Sequence, residues 1–249
     1  MSKYINNYKG TIMSDILGNA LLDYYNGNYS EDIITETNIS EEDKLPLPYL
    51  FRSFNEMPKI EKKALSICRG KVLDIGCGSG SHSLYLQNNK KLIVDAVDIS
   101  KGATEVTKLR GVKNVFNNNL FEVKETYDTL LLLMNGIGIC GKTERLNIFL
   151  QHLKSLLNPN GQILVDSSDI SYMFEKDEEG GFWVNPEEYY GEIEFTMSYK
   201  GEKSNNFDWL YLDFNTLKNA CVANGFNCEL IEEGNHYDFL AKITVINNK

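Results

Sequence analysis

A chain of 249 residues with 42% apolar and 24% charged side chains has the balance of a globular protein with one large domain, neither disordered nor fibrous. Its 25 basic against 35 acidic residues leave a formal charge of −10. That argues against nucleic acid as the main partner, because phosphate neutralisation supplies most of that affinity. Five cysteines, odd in number and without a CxxC pair, point to a reduced, cytoplasmic protein with no disulfide framework and no metal.

The N-terminus has no apolar signal core. The longest apolar run, TLLLLM at 129–134, is too short to cross a bilayer, so no membrane contact is expected. Residues 1–67 read as a helical N-terminal cap without strand alternation. In MSDILGNALLDYY the apolar residues Ile16, Leu17, Ala20, Leu21 and Tyr24 fall at helical spacing. LPLPYLFRSFNEMP then breaks the pattern with prolines. It carries Tyr49, whose ring suits either a cap or ordinary packing, and Arg52, a bidentate donor for a substrate carboxylate or phosphate. Pro58 opens a helix over PKIEKKALSIC, ended by Gly70.

Residues 68–249 form the core. Apolar strands KVLDIG, LIVDAVDIS, VKNVFNNN, YDTLLLLMN and GQILVDSS alternate with helical segments, of which KTERLNIFLQHLKSLL is the most clearly amphipathic. This order implies an α/β, doubly wound, mostly parallel sheet covered on both faces. An insert at about 169–213 interrupts it. The acidic run EKDEEGG reads as a solvated loop, and GEIEFTMSYKG and NFDWLYLDF as an inserted β-hairpin around GEKSNN. FNTLKNACVANG is a helix closed by Gly225, and two further strands end the chain as a hairpin.

The chemistry concentrates at KVLDIGCGSGSHS, residues 71–83. A glycine turn between a first strand and its helix lies at the carboxyl edge, where open α/β sheets bind ligands. Gly76, Gly78 and Gly80 are spaced G-x-G-x-G, and Ser81 stands where the dinucleotide fingerprint needs glycine. Asp74 ends the strand before them. A carboxylate there repels a diphosphate and suits an ammonium. Cys77, between the glycines, belongs to the cofactor-binding turn as a small packing residue rather than a nucleophile, since no base beside it would activate a thiolate. Asp98 ends the second strand at the distance suited to ribose hydroxyls. Ser100 is the better helix cap, and Asp95, mid-strand, ranks behind Asp98 for the ribose.

VLDIGCGSG and VDAVDIS resemble the first and second motifs of the class I S-adenosylmethionine-dependent methyltransferases, over about residues 60–168 and as topology over 214–246. The resemblance implies a seven-stranded sheet with the last strand antiparallel and S-adenosylmethionine as cofactor, leaving S-adenosylhomocysteine as product. It implies that Asp74 and Gly76 face the methionine part, that Gly78 and Gly80 permit close approach, that Asp98 binds the ribose, and that Ile99 packs on the adenine. Asn119 stands where the family often has an acid for the adenine amino group, with Leu120 beside the ring. Met134, Asn135 and Gly136, in LLLMNGIGICG, would border the methyl group.

For the acceptor, His82 on the first turn after the glycines is a cofactor-carboxylate or substrate contact, or simply a polar residue at a helix start. Asp169 and Tyr172 follow the fifth core strand at the functional edge, where Asp169 also suits helix capping. No residue stands out as a catalytic base, and methyl transfer needs one only if the acceptor stays protonated. MNGIG replaces the [DN]-P-P-[YFW] of amino-methylating nucleic-acid enzymes, which with the charge favours a small molecule. The alternatives are a non-catalytic cofactor-binding protein and, against Ser81 and Asp74, an NAD-dependent oxidoreductase. Oligomeric state has no signature in the sequence.

Overall fold

The computed structural model describes residues 15–174 and 189–246, so the EKDEEGG run lies outside the described residues. Asp15 accepts the Gly18 N–H at 3.0 Å and starts α1 (Ile16–Tyr25). Then come β1 (Ile33–Thr37), β2 (Asp43–Leu45), a single turn α2 (Leu47–Leu50) opened by Pro46, and α3 (Lys59–Ile67). The core alternates β3 (Lys71–Ile75), α4 (Ser81–Asn88), β4 (Ile93–Asp98), α5 (Lys101–Leu109), β5 (Asn114–Asn117), β6 (Tyr127–Leu132), α6 (Leu146–Ser155) and β7 (Leu157–Ser168). The chain continues as β8 (Glu192–Tyr199), β9 (Glu202–Lys203), β10 (Phe207–Leu210), α7 (Phe214–Ala223), β11 (Phe226–Glu233) and β12 (Asp238–Val245).

Seven strands form the main sheet in the order β11-β12-β7-β6-β3-β4-β5. β3 to β7 run parallel, and β12 lies antiparallel to β7 and β11. Leu130 and Leu132 pack on one face with Phe149 and Ile163, and Leu131 on the other with Leu65 and Leu164. Burial on both faces is why the strand reads as one apolar run rather than an alternation. The order reverses at β3, which has β4 on one side and β6 on the other. The crevice beyond the carboxyl ends at such a switch point is where this architecture receives ligands.

A second sheet, β10-β8-β1-β2 with β9 on β8, joins the N-terminal segment to the insert. Ile34 pairs with Ser198 and Thr37 with Phe195. The all-helical expectation for residues 1–67 is therefore corrected at β1 and β2. IITET is too short to show a period, and while β2 pairs one of its edges locally, the other is satisfied by β8, far along the chain. The expected hairpin forms: β8 pairs with β10 across GEKSNN, and its tight reversal is the two-residue turn Lys200–Gly201, where both φ angles are positive (48° and 78°), with Glu202–Lys203 adding a short strand on β8.

Trp209 of β10 lies over Gly138 in the 3-10 turn that follows β6, so closely that a β-carbon at Gly138 would overlap the indole. Gly138→Ala is expected to cost roughly 1–3 kcal/mol by overpacking and to change the tryptophan emission. Denaturation followed by fluorescence checks both, and an unchanged midpoint and spectrum would mean the insert docks without this contact.

Candidate active site

The glycine turn is held from two sides. Gly76, Gly78 and Gly80 have φ of 73°, 53° and 81°, a region other residues enter only with strain. The Gly76 and Cys77 N–H groups donate to Val97 O at 2.9 and 3.2 Å, which ties the turn to β4. A β-carbon at Gly80 would press on Thr107, whereas one at Gly78 meets nothing within 4 Å. Gly78 therefore opens onto space where a ligand can approach the backbone.

Three carboxylates end strands at this edge. Asp74 of β3 is buried and among the described residues is hydrogen-bonded only by Ser83, whose Oγ donates to it; burial chiefly pushes its carboxyl above the ordinary range. Asp98 of β4 accepts the Gly78 N–H and the Ser100 N–H, both at 2.9 Å, and burial raises it too. Ser100, not Asp98, caps α5, accepting from Ala103 N at 3.0 Å. Asp95 points away to Tyr127 Oη (3.1 Å) and Lys71 Nζ (3.1 Å), the partners a mid-strand acid requires.

The third acid, Asp166 of β7, is a residue the sequence reading passed over. It accepts the Met134 N–H at 3.0 Å and the Gly136 N–H at 2.9 Å, and burial pushes it up to about 6. Between those two bonds Met134 and Asn135 take φ of 66° and 55°, each uncommon for a residue with a side chain. Ser168 Oγ donates to Asn135 Oδ1 at 2.9 Å. Asp166 is signalled in GQILVDSS by the same rule that marked Asp74 and Asp98: an acid closing an apolar strand.

On the far side of β4, Ile99 is 70% exposed and Leu120 is buried. Asn117 Nδ2 donates to the carbonyls of Asp98 and Ile99 at 3.0 and 2.9 Å and fixes that loop. Asn119 Oδ1 accepts the Phe121 N–H at 3.0 Å, so its carbonyl already caps a 3-10 turn. The Cys77 side chain packs with Ala96, Val112 and Val115, and burial drives its thiol well above its ordinary value, which disfavours the thiolate a nucleophile needs. Two surface depressions, one at Asn160 and Thr244 and one between Glu36 and Asn206, lie away from this edge.

Residues 72–161 match the family model of a methyltransferase domain. The crystal structure of a SAM-dependent methyltransferase from Bacteroides fragilis, in complex with S-adenosyl-L-homocysteine, aligns with a TM-score of 0.87 and 45% identity over 94% of this chain and 95% of that one. The chain belongs to the S-adenosylmethionine-dependent methyltransferases. The sugar N-methyltransferase KedS8 from Streptoalloteichus shares the fold at 14% identity, with a TM-score of 0.55 over 80% of this chain and 88% of that one. So does the methyltransferase CcbJ from Streptomyces caelestis, at 11% identity and a TM-score of 0.58 over 78% and 98%. Among curated proteins no match was found. The expected seven-stranded doubly wound class I sheet and the activity are both met, and the oxidoreductase alternative falls.

The N-terminal segment of the methyltransferase closes over its glycine turn. Ser79 and Ser81 hydroxyls donate to Leu50 O, and Arg110 Nη1 donates to Ser79 O at 2.7 Å. Arg110 also lies 4.8 Å above the Phe51 ring. Beneath this seam Arg52 and His82 meet on Glu61. Arg52 Nη2 pairs with Glu61 Oε1, Arg52 Nη1 donates to Tyr49 O, and His82 Nε2 lies 2.8 Å from Glu61 Oε2. All three residues are buried. Arg52 is therefore not a free grip for substrate, a correction the sequence could not supply because Glu61 carried no signal of its own. His82 is likewise tied to Glu61 rather than only standing at a helix start. Asp169 Oδ1 accepts the Ser171 N–H and the Tyr190 hydroxyl, both at 2.9 Å, and Tyr172 is half exposed beside it. Among the described residues no helix is long and apolar enough to cross a membrane, and no His, Cys, Asp and Glu group is placed to hold a metal.

Proposed function

We propose that this methyltransferase acts in the cytoplasm on a small-molecule acceptor, with the glycine turn and its three strand-end acids as the cofactor-side machinery. The observation that carries the reading is the pairing of an open β-carbon position at Gly78 with the buried Asp74, a carboxylate that among the described residues has Ser83 as its hydrogen-bond partner and no cation paired to it. A buried charge of that kind is costly until it meets a cation, and the methionine ammonium is one. Asp98 would bind the ribose hydroxyls with the lone pairs that the Gly78 and Ser100 bonds leave over. Ile99 and Leu120 would sandwich the adenine, and Asn119 would meet its amino group with the lone pair its cap leaves over. Met134 and Asn135 would border the methyl group. S-adenosylmethionine supplies an electrophilic methyl on a sulfonium. The protein's part is to align it and exclude water, which needs no metal and no dedicated base for an acceptor that arrives unprotonated. Leu50 and Phe51 lie against the glycine turn and Trp209 against the turn after β6, cover on this edge that favours a small acceptor. All five cysteines are free thiols, as a reducing compartment favours.

Calorimetric titration with S-adenosylmethionine, S-adenosylhomocysteine and NAD in parallel tests the assignment, with binding of the first two expected. Asp74→Asn keeps the acceptor oxygen for Ser83 but removes the charge, so affinity for S-adenosylmethionine is expected to fall roughly 10- to 100-fold, the loss of a charge-assisted bond. An unchanged affinity would take Asp74 out of the site.

A further inference from the structure

The rim at the carboxyl end of β7 carries an exposed aromatic surface outside the glycine turn and its acids. Tyr172 follows β7, and Tyr237 stands in the turn between β11 and β12, which returns to this edge because Asp238 pairs with Ser168. The two rings stack at 4.8 Å with planes 18° apart, yet are 51% and 65% exposed. The Asp169 N–H donates to Tyr237 O at 2.9 Å and locks the two loops together. Tyr237 holds a φ of 59°, a conformation an aromatic residue enters only under constraint. The loop thus holds an apolar face in water.

Carboxylates surround that face. Asp169 is fixed through Oδ1 alone, and Asp238 accepts the His236 N–H through Oδ1 at 2.9 Å. The second oxygens of both accept no hydrogen bond among the described residues. Burial chiefly disfavours the Tyr49 phenolate, and the charges of Glu61, Asp166 and Asp238 add to it against that of Arg52. The guanidinium beside Tyr49, Arg52, is already matched by Glu61.

We propose that the acceptor is an amine, drawn in by this tyrosine and carboxylate rim. Aromatic faces attract ammonium groups, and free carboxylate oxygens accept their N–H bonds. An anionic acceptor would instead meet Asp169 and Asp238, with no unpaired cation beside them among the described residues. The inference rests on the S-adenosylmethionine reading of the same site. In the transfer, the ammonium first loses a proton to water. The nitrogen lone pair then forms the N–C bond as the C–S bond breaks, the bonding pair staying on sulfur to give S-adenosylhomocysteine. The proton left on the methylated nitrogen goes to water.

The test uses the full chain saturated with S-adenosylhomocysteine. Benzyltrimethylammonium, a cation that cannot accept a methyl group, is titrated by calorimetry beside benzenesulfonate, its anionic counterpart. The cation is expected to bind and the sulfonate not. Tyr172→Ala and Tyr237→Ala should each weaken the cation roughly 3- to 30-fold, while Tyr172→Phe retains it and thermal melting stays unchanged. With S-adenosylmethionine in place of the product, benzylamine should yield S-adenosylhomocysteine above the background rate. Sulfonate binding as tight as the cation, or no cation binding by a protein that does bind S-adenosylhomocysteine, overturns the amine proposal and leaves the cofactor reading standing. Failure to bind S-adenosylhomocysteine at all brings both down.

Discussion

Glu61→Ala is expected to destabilise the protein by about 3–5 kcal/mol, the cost of stranding a buried charge, and chemical denaturation is the measurement. The Arg52 and Glu61 side chains are each only 4% exposed, and Arg52 Nε has no hydrogen-bond partner among the described residues. Arg52 therefore depends on this one carboxylate for its neutralisation, and His82 loses its partner at the same stroke. Arg52→Met combined with Glu61→Leu removes both charges together and should cost less than Glu61→Ala alone. If the double variant is the less stable, the pair acts through packing and not through charge. Because His82 follows the glycine turn directly, affinity for S-adenosylmethionine should fall in Glu61→Ala as well.

The same pair sets a pH dependence. Burial alone would raise the Glu61 carboxyl, but the His82 hydrogen bond and the charges of His82 and Arg52 outweigh it and hold Glu61 below the usual range. A depressed acid stabilises the fold above its unfolded value, and that contribution is lost as pH falls through the folded one. Its loss thus belongs to acid solution, below the ordinary carboxylate range.

Asp166→Ala is expected to cut methyl transfer roughly 100-fold or more, since a displacement of about 1 Å at the reacting centre has an effect of that order. The Met134 and Gly136 N–H groups would lose their acceptor, and the left-handed pair Met134–Asn135 would relax. Two stranded N–H groups should also lower stability by roughly 2–4 kcal/mol. Single-turnover kinetics with saturating cofactor separate the two effects, and an unchanged transfer rate in a folded variant would show that the loop holds its shape without Asp166. The pH sign here is opposite to that of Glu61. Burial raises Asp166 to about 6, so the folded state holds a proton the unfolded state releases. Protonation favours folding as pH falls from about 6 toward the unfolded carboxylate value of roughly 4. The same protonation weakens the grip on one of the two N–H groups. Transfer should therefore decline below about pH 6 while stability does not, and a rate that is flat from neutral pH down to about 5 would argue against this role.

The sequence by itself determined the glycine turn, the acids Asp74 and Asp98, the Ser100 cap and the alternation that makes a parallel sheet. Each of these is local. A left-handed φ demands glycine, a cap needs its oxygen within three residues, and a strand buried on both faces must be apolar throughout. Only the tertiary structure decided what stands over that turn. β1 finds its pairing partner in β8, Arg52 is neutralised by Glu61 and His82, Asp166 reaches back to the loop after β6, and Tyr172 meets Tyr237. These contacts join residues distant along the chain, and no spacing or period connects them. They are selected by which charges and faces the packed core brings within a few ångströms of one another, because a buried polar group must find whatever partner the fold places beside it.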